Sequence, residues 1–164
     1  PDIVEEKLRI GDWEGNTIVG AKQQGAIISL VDRKSKYTLL KQVDNKLSED
    51  VKNGIIEKFK PHKNKVLTIT YDNGCEFVKH NEINDNIGCD SYFATPYHSW
   101  ERGLNEHTNG LVRQFFPKKT NLKRVTDMEV EAVQNLLNNR PRKVLGYRTP
   151  AEVFFDTEPV QLIM

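Results

Sequence analysis

Three stretches of the chain carry oxygen-bearing side chains at spacings that could do chemistry. The first, Arg9 to Gly20 (RIGDWEGNTIVG), reads as a strand on its β-favouring Trp13, Thr17, Ile18 and Val19, despite Gly15. Side chains alternate across a strand, so Asp12, Glu14, Asn16 and Ile18 share one face, an unusual run of polar groups for a buried strand. The second is Asp72, which directly follows the apolar run VLTITY. The third is Glu106, just past a loop rich in aromatic and basic residues, on a stretch where Leu104, Leu111 and Phe115 recur at near-helical spacing. Where the first and fourth strands lie side by side, these groups can meet at one edge of a sheet. Convergent carboxylates suit hard cations such as Mg²⁺, which take oxygen ligands and keep several waters. Two such ions, about 3.5 to 4 Å apart, can activate a water or hydroxyl on one side of a phosphodiester and stabilise the leaving oxygen on the other. Each group also has a plainer reading. Asp72-Asn73-Gly74 has the composition of an ordinary turn, and a single glutamate on an amphipathic helix is commonly a solvated charge.

The elements that must position these groups follow from the chain in order. Gly25 to Val31 and Tyr37 to Val43 are apolar runs separated by the polar turn Asp32-Arg33-Lys34-Ser35, which with the first strand predicts a three-stranded antiparallel meander. Ser48 offers an N-cap, and Val51, Ile55, Ile56 and Phe59 form the buried stripe of a helix closed by Pro61. A strand reached through a helical crossover usually lies parallel to its neighbour, so Val66 to Tyr71 is expected to run parallel. A short helix from Lys79 to Ile87 stops at Gly88, and Asp90 to Ala94 is a fifth strand. Pro117 ends the helix that carries Glu106. Thr126 with Glu129 predicts a capping box ahead of a helix with Val130, Val133, Leu136 and Leu137 on its apolar face, and Thr149-Pro150 starts another short helix. The expectation is an α/β fold, a five-stranded mixed sheet flanked by helices, in one domain spanning residues 1–164.

A chain of 164 residues can bury a real core without disulfide staples. Cys75 and Cys89 are too few and too far apart for a disulfide framework or a paired-cysteine metal site, which points to reduced thiols in the cytoplasm. His62, His80, His98 and His107 lack a zinc-binding context. No apolar run approaches the roughly 20 residues that span a bilayer, so no membrane role is expected. The net charge of +1 hides an uneven distribution: from Arg113 to Arg148 there are nine basic residues and three acidic ones. Such a stripe can track a phosphate backbone, although solvated basic faces without a ligand are nearly as common. Tyr97 and Trp100, interleaved with His98 and Arg102, are either core aromatics or groups that stack on an unpaired base.

Several motifs together resemble one family. W-E-G-N at Trp13 to Asn16, T-Y-D-N-G-C-E-F at Thr70 to Phe77, P-Y-H-S-W-E-R-G-L-N-E-H-T-N-G at Pro96 to Gly110, R-Q-F-F-P-K-K-T-N-L at Arg113 to Leu122, and N-N-R-P-R-K-V-L-G-Y-R-T-P at Asn138 to Pro150 resemble the catalytic core of bacterial insertion-sequence transposases of the insertion sequence thirty family. The resemblance implies a ribonuclease H-like fold related to retroviral integrases, with an Asp-Asp-Glu triad binding two Mg²⁺ or Mn²⁺ ions. It implies 3′-end hydrolysis of a mobile element and strand transfer into target DNA, by at least a dimer on DNA, in the bacterial cytoplasm at the nucleoid. The family's N-terminal helix-turn-helix is absent, so the chain looks like the catalytic domain alone. Asp72 and Glu106, separated by 33 residues, match the second and third triad members. At the first stands Asn16, a neutral amide where the family has aspartate, which implies weakened metal binding and impaired catalysis. Asp12 and Glu14 are poor substitutes, since each two-residue step moves a side chain by roughly 6 to 7 Å. Arg113, two turns beyond Glu106, is placed to meet DNA phosphate, and Lys118, Lys119, Lys123 and Arg124 extend that track, with Arg102 and Trp100 at the DNA end. The competing reading is a non-catalytic DNA-binding module on the same fold; a ribonuclease-type hydrolase is a third.

Overall fold

The computed structural model describes residues 1–72, 74–94 and 103–156, apart from the side chain of Asn105. Trp100 and Arg102, with Tyr97 and His98, lie outside the described residues. Five strands, β1 (Asp12–Val19), β2 (Ala26–Asp32), β3 (Thr38–Val43), β4 (Thr68–Tyr71) and β5 (Asp90–Phe93), form one sheet in the order β3-β2-β1-β4-β5. β1, β2 and β3 make the expected antiparallel meander, while β4 runs parallel to β1 and β5 parallel to β4. Among the described residues six α-helices accompany the sheet: α1 (Asp2–Glu5), α2 (Ser48–Phe59), α3 (His80–Ile87), α4 (Gly103–Phe115), α5 (Asp127–Asn138) and α6 (Pro150–Phe154). Helix α1 was not foreseen; its four residues are too few to show a period, and only Val4 is buried.

The strand period of two divides the core into two. Trp13 of β1 and Ala26, Ile28 and Leu30 of β2 pack with Val51, Ile55 and Phe59 of α2 and with Phe154 of α6. Aromatic edges meet there, with Trp13 4.9 Å from Phe59 and 5.5 Å from Phe154 between ring centroids. On the opposite face, Ile18, Ile27 and Leu40 pack with Val112 and Phe116 at the end of α4 and with Val130, Val133 and Leu137 of α5. Gly15 belongs in β1 because the Tyr71 ring of the neighbouring strand lies where a side chain would project, 3.1 Å from the position of a Cβ.

Several local expectations are corrected. Ser48 does not cap α2 but is its first residue, following an extended Leu47. Phe115 of α4 is exposed and Leu104 and Leu111 are half-buried; the buried side is formed by Thr108 and Val112 and continues to Phe116. Thr126 does cap α5 through the Glu129 N–H at 3.1 Å, but the Glu129 carboxylate accepts from the Thr126 hydroxyl. The reciprocal capping box is at α6, where Glu152 N–H donates to Thr149 Oγ1 and Thr149 N–H to Glu152 Oε1. Leu136 faces solvent, while Gln134 and Asn138 of α5 are buried. These two side chains finish the free edge of β3: Gln134 Oε1 accepts the Leu40 N–H at 2.9 Å, and the Asn138 amide exchanges two 2.8 Å bonds with the Thr38 backbone. An amide side chain thereby stands in for a sixth strand.

Candidate active site

The polar side of β1 turns toward the face that α4 covers. Ile18 lies in the α4 and α5 cluster, and Asn16, Glu14 and Asp12 follow it at intervals of two along that face, all buried. Asp12 is neutralised: Arg9 grips its carboxylate at 2.7 and 3.0 Å and the Thr68 hydroxyl donates to it at 2.8 Å. Glu14 lies 3.5 Å from Arg33 Nε, and Arg33, which the sequence places in the polar turn, is 1% exposed and donates to the Val4 carbonyl. Burial holds the Glu14 carboxyl above its ordinary range, against the opposing pull of Arg33. Both acids are thus engaged in the fold, and neither stands in for the residue at position 16.

Asn16 differs from its neighbours. It is 4% exposed, and its Oδ1 accepts no hydrogen bond. Ser29, its cross-strand partner on β2, also has an unpartnered hydroxyl. The parallel ladder ends on the pair Gly15 and Tyr71, and Asn16 and Asp72 are the residues that follow them in sequence. The alternation along β1 turns Asn16 toward the α4 side. Glu106 occupies the first turn of α4, the helix packed over that face, and its side chain is exposed. One turn further along, on a position neighbouring Glu106, the Asn109 Oδ1 is buried and unpartnered. Asn109 was not singled out from the sequence; its i+3 spacing from Glu106 was the available signal.

Register pairs Gly15 with Tyr71 just before Asn16 and Asp72, and α4, which carries exposed Glu106, packs on the Asn16 side of the sheet. The donor set is all oxygen: two carboxylates, an amide oxygen already buried without a hydrogen, and a second orphan amide nearby. Such donors fit a hard divalent cation in kind. Among the described residues no three His, Cys, Asp or Glu side chains converge as a metal site.

No family profile matches the chain. Over 154 residues it is 46% identical to the transposase for insertion sequence element IS4351 of Bacteroides fragilis, a match covering 94% of this chain and 47% of that protein. Over 151 residues it is 40% identical to the transposase InsI for insertion sequence element IS30A of Escherichia coli strain K12, covering 92% of this chain and 39% of that protein. It is a homologue of insertion-sequence transposases. This transposase homologue spans less than half the length of those relatives. The crystal structure of the catalytic core domain of BIV integrase matches it with a TM-score of 0.69 at 18% identity, over 88% of this chain and 93% of that one. The fold is ribonuclease H-like, with the five-stranded mixed sheet that the meander and crossover predicted.

The basic stripe of the chain divides into exposed and engaged groups. Lys118, Lys119, Lys123 and Arg124 are exposed on the segment between α4 and α5. Backbone bonds from Ala21 to Thr120 and from Leu122 to Gln24 stitch the β1–β2 loop to this segment, which adds exposed Lys22, a residue the stripe did not include. Arg113 is half-buried, donating to the Val19 carbonyl at 2.7 Å and the Phe116 carbonyl at 3.5 Å, so its guanidinium clamps the end of α4 to β1. Arg142 and Arg148 are likewise engaged, donating to the Leu137 and Glu152 carbonyls. No described helix is long and apolar enough to cross a membrane.

Proposed function

We propose that residues 1–164 are the catalytic core domain of a DNA transposase, with Asp72 and Glu106 as two corners of its metal site and Asn16 at the third. The observation that supports this is the parallel pairing of Gly15 with Tyr71, the residues just before Asn16 and Asp72, in a chain homologous to transposases. Asp72, Glu106 and Asn16 would hold Mg²⁺ or Mn²⁺, which supplies positive charge to a phosphodiester during 3′-end hydrolysis and strand transfer. The chain's own contribution is positional: β1 and β4 fix two oxygen ligands relative to each other, and α4 brings the third. Asn16 gives an oxygen without a charge, so the site presents two negative charges where three would hold a pair of divalent ions. Metal binding is accordingly weak and both chemical steps are impaired. Exposed Lys118, Lys119, Lys123 and Arg124, with Lys22, track phosphates of the transposon end or target DNA, and Arg102 and Trp100 contact the DNA end. Arg113 acts first by fixing α4 and offers DNA its remaining donors. The active assembly holds two element ends and is at least a dimer on DNA, in the bacterial cytoplasm at the nucleoid.

Titration of Mn²⁺ into this chain and into its Asn16→Asp variant tests the assignment. Tighter binding in the variant, lost with Asp72→Ala or Glu106→Ala, and strand transfer gained with the aspartate, are the expected results. Metal binding indifferent to all three positions sinks it. The second reading, a non-catalytic DNA-binding module, draws on the neutral Asn16. It requires salt-dependent DNA binding with no strand transfer even in Asn16→Asp.

A further inference from the structure

On the face of the sheet away from Asn16, the turn that follows Asp72 is fastened to β1 by one buried carboxylate. The Glu76 side chain is 1% exposed; its Oε1 accepts from the Thr17 hydroxyl at 2.9 Å and lies 3.2 Å from Lys46 Nζ. Thr17 is the residue after Asn16 on β1, and Lys46 comes from the loop between β3 and α2. At the other end of the turn, the Gly74 N–H donates to Asp72 Oδ1 at 3.0 Å. Gly74 lies so close to the Glu76 carboxylate that a Cβ there would overlap it. Contacts therefore run from Thr17 through Glu76 and Gly74 to Asp72, linking the two strands beyond Gly15 and Tyr71, where their ladder ends.

We propose that Glu76 is a positioning residue for the metal site, setting the turn that aims Asp72 toward position 16. The inference rests on the proposed role of Asp72. A buried carboxylate is costly unless paired, and this one is paired to the strand that carries the first corner of the site. The Asp72 side chain emerges past the last strand pair, so strand register alone does not fix its direction. The ion pair with Lys46 adds a third element and holds the carboxylate against Gly74. Groups that orient a metal ligand without touching the metal typically change affinity by about 10- to 100-fold when removed.

The test is Mn²⁺ affinity, read from loss of the free-ion electron paramagnetic resonance signal and from calorimetry, with Asn16→Asp as host. Glu76→Ala and Gly74→Ala are each expected to weaken binding by about tenfold or more at unchanged stoichiometry. Glu76→Gln, which keeps an acceptor for Thr17, loses less. Thr17→Val weakens binding alone but adds nothing on top of Glu76→Ala, a non-additivity that general destabilisation does not produce. Host-level affinity in Glu76→Ala, with binding abolished in Asp72→Ala, overturns the inference and leaves the metal site standing. Should Glu76→Ala fail to fold, Thr17→Val carries the test, and host-level affinity there overturns it equally. A host that binds no Mn²⁺, or binds it regardless of Asp72→Ala, removes the metal site itself.

Discussion

Alternate residues of β1 face two different environments. Trp13 turns to a face filled by Phe59, Phe154, Ile55 and Leu30, where burial of apolar surface and aromatic edges supply stability. Glu14 and Asn16 turn to the other, where Glu14 has only its 3.5 Å ion pair with Arg33 and Asn16 Oδ1 and Ser29 Oγ are buried without hydrogen-bond partners. An unpaired buried acceptor costs about 1 to 3 kcal/mol, so the second face works against the fold at the positions where the first supports it. The contrast shows how one strand can carry a site. The α2 face holds β1 in place strongly enough that its α4 face can keep buried oxygens without hydrogen-bond partners.

The comparison can be broken most forcefully at Trp13. Trp13→Ala should lower unfolding free energy by about 3 to 5 kcal/mol in urea titration. A small loss would mean that the α2 face does not hold the sheet. On the other face, Glu14→Ala leaves Arg33, 1% exposed, without its buried partner and should cost about 3 to 5 kcal/mol, whereas Glu14→Met with Arg33→Met together should recover most of it. A double variant as unstable as the single would show that Arg33 matters through Val4 instead. The pH dependence has a definite sign. Burial raises the folded-state pKa of Glu14, so the native state binds that proton more tightly than the unfolded chain. The group's contribution is fully present below the unfolded value of about 4.3 and is lost as pH rises through the folded value. Glu14→Gln should remove that part of the slope in melts taken across this range.

These contrasts also explain what the sequence could reveal. Alternation in β1 and apolar runs in β2 and β3 are local signals, and the meander and the parallel β4 follow from them. The α4 stripe was misplaced because Thr108, a polar residue, lies on its buried side while Phe115 lies outside. Gln134 and Asn138 escaped notice because their partners are the Leu40 and Thr38 backbone, about a hundred residues away, and an amide looks solvent-facing until an unpaired strand edge is brought to it. Arg33 looked like a turn residue for the same reason, since its partner Glu14 reaches it only through strand pairing. Glu76 carried no signal beyond its place after Asp72-Asn73-Gly74.

Asn138→Ala tests that edge closure on the α4 side. Removing the amide unpairs the Thr38 N–H and C=O and should cost about 1 to 3 kcal/mol, with increased self-association by light scattering if the edge becomes available. Stability loss without association would mean that α5 still covers β3 sterically.

The smallest effect is the most informative about the site. Asn16→Leu replaces a buried amide by an apolar side chain of similar size, removing an orphan acceptor that contributes no hydrogen bond through Oδ1. Its stability should therefore change by no more than about 1 kcal/mol, toward greater stability, while the same change at a bonded buried amide such as Asn138 should destabilise. A loss above about 2 kcal/mol at Asn16 would mean that the amide ties β1 to its surroundings, and the oxygen would no longer be free for a cation. Equal stability with Mn²⁺ binding lost would separate the two properties that Trp13 and Asn16 divide between them, since one side chain would then serve the fold and its near neighbour only the ligand.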